Sequence, residues 1–185
     1  VSSDSLTPDG KSSVFIIATP LNDLPAEWRA RGVGIATIEG VRALPEAKHL
    51  NYLPAVVGVR DAKKSGGIEA VYTSAGLVYE GTVSNIFAVV DGHLVTPSRG
   101  ILMGITRGAL VEILARSPDA VIEREMKLEE LRRASEIFLT AGNKRLLPVT
   151  ALDGKPVGDG HGGPVTRRVI QAFDHWCQEA EVAKI

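Results

Sequence analysis

The chain has 185 residues, 44% hydrophobic and 23% charged, with a formal net charge of -1. That is enough for one sizeable core or one domain with a flexible arm, and the charge balance excludes a nucleic-acid binder that works by neutralising phosphates. No apolar run approaches the roughly 20 residues that span a bilayer, so neither nucleic acid nor membrane is expected as a partner. Cys177 is the only cysteine, which rules out an internal disulfide and fits a reducing, cytoplasmic setting. His49, His93, His161 and His175 lie too far apart for metal-ligand spacing, and no metal site is expected.

Residues 1–13 are polar and rich in Ser, Asp, Gly and Pro, and read as a linker or frayed arm. Val14-Phe15-Ile16-Ile17-Ala18 is the first strand signal, residues 32–37 the second, and Val41-Arg42-Ala43-Leu44 follows. Ala55–Lys64 predicts a helix with an apolar and a charged side, opened by Pro54 and ended by Gly66-Gly67. Three strands come next, Glu69–Thr73, Leu77–Glu80 and Asn85–Val90, with Ser74-Ala75-Gly76 and Asp91-Gly92 as turns. They read as an antiparallel meander that His93–Thr96 extends until Pro97.

Residues 105–115 carry a helical pattern, Val121–Met126 alternates as a strand, and Leu128–Ala134 is a short charged helix. Glu136–Thr140 runs as a strand into a sharp Ala141-Gly142 turn, Leu146–Thr150 is another strand, and Asp153-Gly154 marks a tight turn. After the Gly-rich residues 158–163, Pro164 opens a helix predicted to run to about Ala183. Many short strands with interspersed helices give a mixed α+β domain, not a doubly wound parallel sheet. No Gly-rich dinucleotide fingerprint or Walker-type loop is present.

Lys48 sits between the apolar pieces Ala43-Leu44 and Leu50–Leu53, where desolvation would lower its pKa and make its amine nucleophilic. Glu80 ends a strand before the small, polar run Gly81-Thr82-Val83-Ser84-Asn85, and its carboxylate faces either water or a ligand. Gly104-Ile105-Thr106 opens a helix whose free N–H groups make a phosphate cup, although Thr106 as a plain helix cap is at least as common. Thr140-Ala141-Gly142-Asn143 is a second small, polar turn. None of the four is specific alone.

Their order is specific. The stretches Lys48-His49-Leu50-Asn51-Tyr52-Leu53, Tyr79-Glu80-Gly81-Thr82-Val83-Ser84-Asn85-Ile86-Phe87 and Thr96-Pro97 come first. Ile101-Leu102-Met103-Gly104-Ile105-Thr106-Arg107, Leu147-Pro148-Val149, Asp153-Gly154 and Gly163-Pro164 follow in the same chain. Over roughly Val14 to Asp174 this resembles the class IV aminotransferases, the fold-type IV pyridoxal 5'-phosphate (PLP) enzymes. That family includes branched-chain and D-amino-acid aminotransferases and aminodeoxychorismate lyase.

The resemblance implies a barrel-like core of mainly antiparallel sheets with surrounding helices, a homodimer, and amino-acid and 2-oxo-acid substrates. It implies Lys48 as the Schiff-base lysine and proton shuttle, and Glu80 as partner of the pyridine nitrogen. Tyr52 matches a tyrosine on the cofactor's phenolic oxygen, and Leu102 would pack on a ring face. Ile105 and Thr106 would hold the phosphate, joined by the Ala141 and Gly142 turn.

Two departures stand out. A phosphate-binding hydroxyl is expected where this chain has Gly142, leaving backbone N–H groups only, with Thr140 off register. The family's smaller N-terminal domain is expected to be absent from this chain, residues 14–185 forming the PLP-binding large domain. The expected reaction is amino transfer; the rival within the family is elimination of pyruvate by an aminodeoxychorismate lyase. A third reading is a folded but catalytically empty domain.

Overall fold

A computed structural model describes Gly10, residues 13–20 and residues 24–182, with side chains as far as Glu179. Most of the arm expected over residues 1–13, and the end of the last helix at Ala183, lie outside the described residues. In chain order the elements begin α1 (Ala26–Arg31), β1 (Val33–Glu39), α2 (Leu53–Lys64), β2 (Gly67–Ser74), β3 (Leu77–Gly81), β4 (Asn85–Val90) and β5 (His93–Thr96). They continue α3 (Ile105–Leu114), β6 (Val121–Glu123), β7 (Met126–Lys127), α4 (Leu128–Arg132), β8 (Glu136–Ala141), β9 (Arg145–Leu152), β10 (Lys155–Pro156) and α5 (Pro164–Val182).

The strands form one sheet in the order β6-β5-β4-β8-β9-β1-β2-β3-β7, with β10 paired to β9. Most pairs are antiparallel; β1 runs parallel to both β2 and β9, and β5 parallel to β6. β3 and β4 are five places apart in that order and yet touch, so the sheet curls back on itself. Side chains from both ends of the order, Val95 at one and Val78 and Met126 at the other, meet in a single inner core.

Alternation along β4 explains the layering. Ile86, Ala88 and Val90 point into the curled sheet, while Phe87 and Val89 face outward beneath α3 and α5. Both sets are buried, so β4 reads as an unbroken apolar run from Ile86 to Val90, as a strand covered on both faces must. Phe87 stacks on Phe138 of β8, ring centroids 4.9 Å apart and nearly parallel. α2 covers the other end of the outer face through Ala62, against Ala36 and Ala70. Asp91-Gly92 and Asp153-Gly154 close hairpins with positive φ at both residues, the geometry that matches strand twist.

Four expectations need correction. Val14–Ala18 joins no described strand, and Val14, Phe15, Ile16 and Ile17 are 83–91% exposed. The local apolar signal is there, but strand identity requires a ladder partner. Val41–Leu44 is an irregular loop. The expected meander breaks after β3: β4 pairs with β5 and β8 instead, and residues 82–84 make the crossing. Val121–Met126 splits into β6 and β7, which lie at opposite edges of the sheet, because Arg124 and Glu125 turn the chain from β5 toward β3. Helix α1 has too few residues to carry a readable period.

Candidate active site

The break between β3 and β4 opens a cavity of about 340 Å³ at one end of the curled sheet. That lies within the usual range of small-molecule sites. Its wall contains Lys48, Tyr52, Glu80, Leu102, Ile105, Thr106, Ala141 and Gly142. Four separate parts of the chain therefore converge there, with Gly81–Asn85 as the floor between them.

Glu80 is the penultimate residue of β3, on the same face as Val78, two residues earlier, which carries its carboxylate to the mouth of the inner core. The side chain is almost fully buried. Its Oε2 accepts a hydrogen bond from the Leu102 N–H at 2.9 Å. Its Oε1 lies 3.3 Å from Arg42 Nε, inside ion-pair range but poorly aligned, and neither atom has a hydrogen-bond partner. Burial pushes the Glu80 carboxyl above the usual carboxylate range, against the Leu102 N–H and the Arg42 charge, which pull the other way. A buried carboxylate with an unused oxygen is costly by itself and is poised to take a proton-bearing partner.

The opposite wall is helical. α3 begins at Ile105 after Gly104, which is extended, and no side chain caps that end. Thr106 therefore does not serve as the plain cap, and the first N–H groups of α3 stay available toward the cavity. Asn85 fixes the approach by donating from Nδ2 to the Leu102 carbonyl at 2.8 Å. A Cβ at Gly104 would collide with the Asn85 side-chain oxygen, so any larger residue there would have to displace the Asn85 amide.

Lys48 rides on the loop between β1 and α2. Arg42 donates to the carbonyls of Pro45 and Ala47, and His49 bridges the Ala43 carbonyl and the Asn51 N–H. With Nδ1 accepting from Asn51, His49 Nε2 must carry the proton it gives to Ala43, so this histidine is a loop clip. The expected burial of Lys48 between apolar neighbours is not found: Lys48, Ala43, Leu44, Leu50 and Leu53 are all exposed. Tyr52 stands at the N-cap of α2 with its ring part-exposed.

At the fourth corner, Thr140 ends among the lining residues although the sequence placed it off register, and its buried Oγ1 has no partner. Gly142 is exposed, and a Cβ there would meet nothing within 4 Å. Sequence reasoning missed Arg42, whose only signal was an isolated charge in the short apolar run Val41-Arg42-Ala43-Leu44. Among the described residues no cluster of His, Cys, Asp or Glu is arranged to hold a metal ion, and no helix is long and apolar enough to cross a membrane.

The family model described as amino-transferase class IV matches residues 2–152. A D-alanine aminotransferase of Staphylococcus aureus is 31% identical over 179 residues, which cover 95% of this chain and 63% of that protein. Among solved structures, the branched-chain amino acid aminotransferase from Escherichia coli superposes with a TM-score of 0.69 at 32% identity, covering 77% of this chain and 52% of that one. The branched-chain enzyme of Thermobaculum terrenum, solved in its PLP form, gives a TM-score of 0.70 at 29% identity, over 77% of this chain and 50% of that one. The chain thus spans between half and two thirds of the length of the proteins it matches.

Proposed function

Because the chain belongs to the class IV aminotransferases, we propose that it binds PLP and transfers an amino group between an amino acid and a 2-oxo acid. In this reading residues 14–185 are the cofactor-binding large domain. One observation carries the proposal: a single cavity gathers an accessible amine, Lys48, a buried carboxylate with an unpartnered oxygen, Glu80, and an uncapped helix N-terminus at Ile105. These are the three donors and acceptors that a phosphorylated pyridine aldehyde needs, so the residues present fit the group.

Glu80 Oε1 would hold a proton on the pyridine nitrogen, and the Arg42 guanidinium keeps that carboxylate aimed. Leu102 would cover one ring face while its N–H fixes Glu80 Oε2. The Ile105 and Thr106 N–H groups and the Thr106 hydroxyl would hold the phosphate, with Ala141 and Gly142 N–H groups on the other side. Tyr52 would donate to the phenolic oxygen. Lys48 would link to the cofactor and afterwards move the proton at the substrate Cα. When bound, PLP supplies the electron sink for that carbanion, and the protein's part is orientation and electrostatics.

The relatives named for branched-chain and for D-alanine substrates both lie within reach of this reading, and the donor set is the same for either. Dimerisation with a second copy, in the cytoplasm, is part of the proposal. It is supported by the exposed apolar side chains of Leu44, Leu50, Leu53 and Val56, which flank Lys48 and Tyr52 in the sequence. The test is borohydride reduction of the protein mixed with PLP, followed by peptide mapping. The label is expected on Lys48 alone; a label on Lys63, Lys64 or Lys144, or none, would sink the assignment.

A further inference from the structure

Behind the cavity wall lies an ion pair that the proposed chemistry does not use. Glu69 of β2 is on the inward face with Val71, two residues later, and its side chain is 1% exposed. One carboxylate oxygen accepts from the Val83 N–H and the Ser84 hydroxyl, each at 2.8 Å. The other meets the ammonium of Lys144, itself 9% exposed, from the turn between β8 and β9. The approach depends on Gly81, where any Cβ would collide with both Glu69 Oε1 and Ser84 Oγ.

The connected pieces are the two loops that face each other across one end of the cavity. Val83 and Ser84 line it from one side, Ala141 and Gly142 from the other, and Glu69 and Lys144 stand behind them. Nothing else on the β8–β9 turn reaches across: Lys144 N–H bonds only within the turn, to the Ala141 carbonyl, and Gly142 sits in open space. With no side chain at Gly142, the turn itself offers an anion its backbone N–H groups, beside the unpartnered Thr140 hydroxyl of β8. Their value depends on where the turn is held, since such donors act when preorganised.

We propose that Lys144, acting through Glu69, is a positioning residue that fixes the Ala141–Gly142 backbone as the second half of the phosphate cup. The pair compensates for the missing hydroxyl by making the turn rigid instead of adding a donor. The proposal rests on the PLP reading above. A buried pair of this kind is an expensive way to gain stability alone, because both charges lose their water. That expense is consistent with a role in shaping the cavity.

The experiment is titration of the purified protein and its variants with PLP and with pyridoxal, which lacks the phosphate, read from the visible band of the lysine-linked cofactor. Thermal melting of each protein is recorded in parallel. Lys144→Ala is expected to weaken PLP on the order of tenfold, a charge-assisted bond's worth, while pyridoxal affinity changes little. Lys144→Arg should restore most of the PLP affinity. If Lys144→Ala does not fold, the double change Glu69→Gln with Lys144→Met removes both charges together and should show the same selective loss. Equal weakening of PLP and pyridoxal, or unchanged PLP affinity in a folded variant, overturns the positioning role and leaves the PLP reading standing. No band from the unaltered protein with either compound overturns both.

Discussion

The two sides of the cavity are built on opposite principles. The sheet side presents Glu80 of β3, Asn85 of β4 and Thr140 of β8, which stand on paired strands and are buried at 1–5% exposure. The loop side, residues 41–52, has no regular structure before α2 and exposes Leu44 and Leu50 at 74% and 91%. Its shape depends on side chains of Arg42 and His49 that reach back to carbonyls a few residues away. Groups that stabilise charge gain most from being fixed and dry, and they sit on the sheet. The group proposed to react, Lys48, sits on a clipped loop, where functional residues on a rigid scaffold are usual.

The largest effect should separate the two sides by stability. Phe138→Ala removes one ring of the Phe87–Phe138 stack beneath the sheet wall and should cost about 3–5 kcal/mol. Leu50→Ser on the loop side should change stability by less than about 0.5 kcal/mol. Denaturant melts of the two variants check this, and comparable losses would mean that the loop is far better packed than its exposure indicates.

Legibility in the sequence follows the same division. Strands whose partners are neighbours in the chain, such as β4 with β5 across Asp91-Gly92, were readable, because the hairpin turn specifies the pairing. Pairings made at a distance were not: β1 beside β9, or β4 beside β8 in place of β3, leave no local trace. Val14–Ala18 has the residues of a strand and no described partner, and Lys48 lies between apolar residues in sequence without being buried by them. The residues assigned by the resemblance do converge on one cavity, whereas Arg42 and the Glu69–Lys144 pair, 75 positions apart, were invisible. A motif reports what touches a ligand; what holds those groups in place is a property of the fold.

Glu80→Gln should sharpen the comparison on the sheet side. It keeps the hydrogen bond to the Leu102 N–H and the shape, so PLP should still bind, while turnover should fall by about 100-fold or more, the scale of losing one preorganised electrostatic partner. The pH dependence carries a second signature. Burial holds the Glu80 carboxyl above the usual range, so on acidification it takes up a proton earlier than an exposed glutamate would. Turnover should therefore decline at a pH above the ordinary carboxylate range, and Glu80→Gln should lack that limb. The apo protein's stability runs the other way for this group. A carboxyl bound more tightly to its proton in the folded state adds stability as pH falls from its folded pKa toward its unfolded value. Asp119 and Glu130, lowered by Arg168 and Arg124, lose theirs over the acidic range. A single acid limb shared by both proteins would refute the assignment of Glu80.

The smallest effect tests the helical corner, where sheet and loop sides meet. Thr106 is the second residue of α3, and no side chain caps that helix end. Its hydroxyl is then free for a ligand, while the N–H groups of Ile105 and Thr106 point the same way by helix geometry alone. Thr106→Val keeps the branched shape and those N–H groups and removes only the hydroxyl. PLP binding should weaken by about 1 kcal/mol, the net worth of one such hydrogen bond, and melting of the apo protein should hardly move, since no cap is lost. The two readouts separate the possibilities. Weaker PLP with unchanged melting places the phosphate at this helix end; a drop in melting temperature with unchanged PLP affinity would make Thr106 a structural residue and move the phosphate elsewhere in the cavity. Inorganic phosphate as a competitor gives the same answer independently of Lys48, because it needs the cup but not the amine.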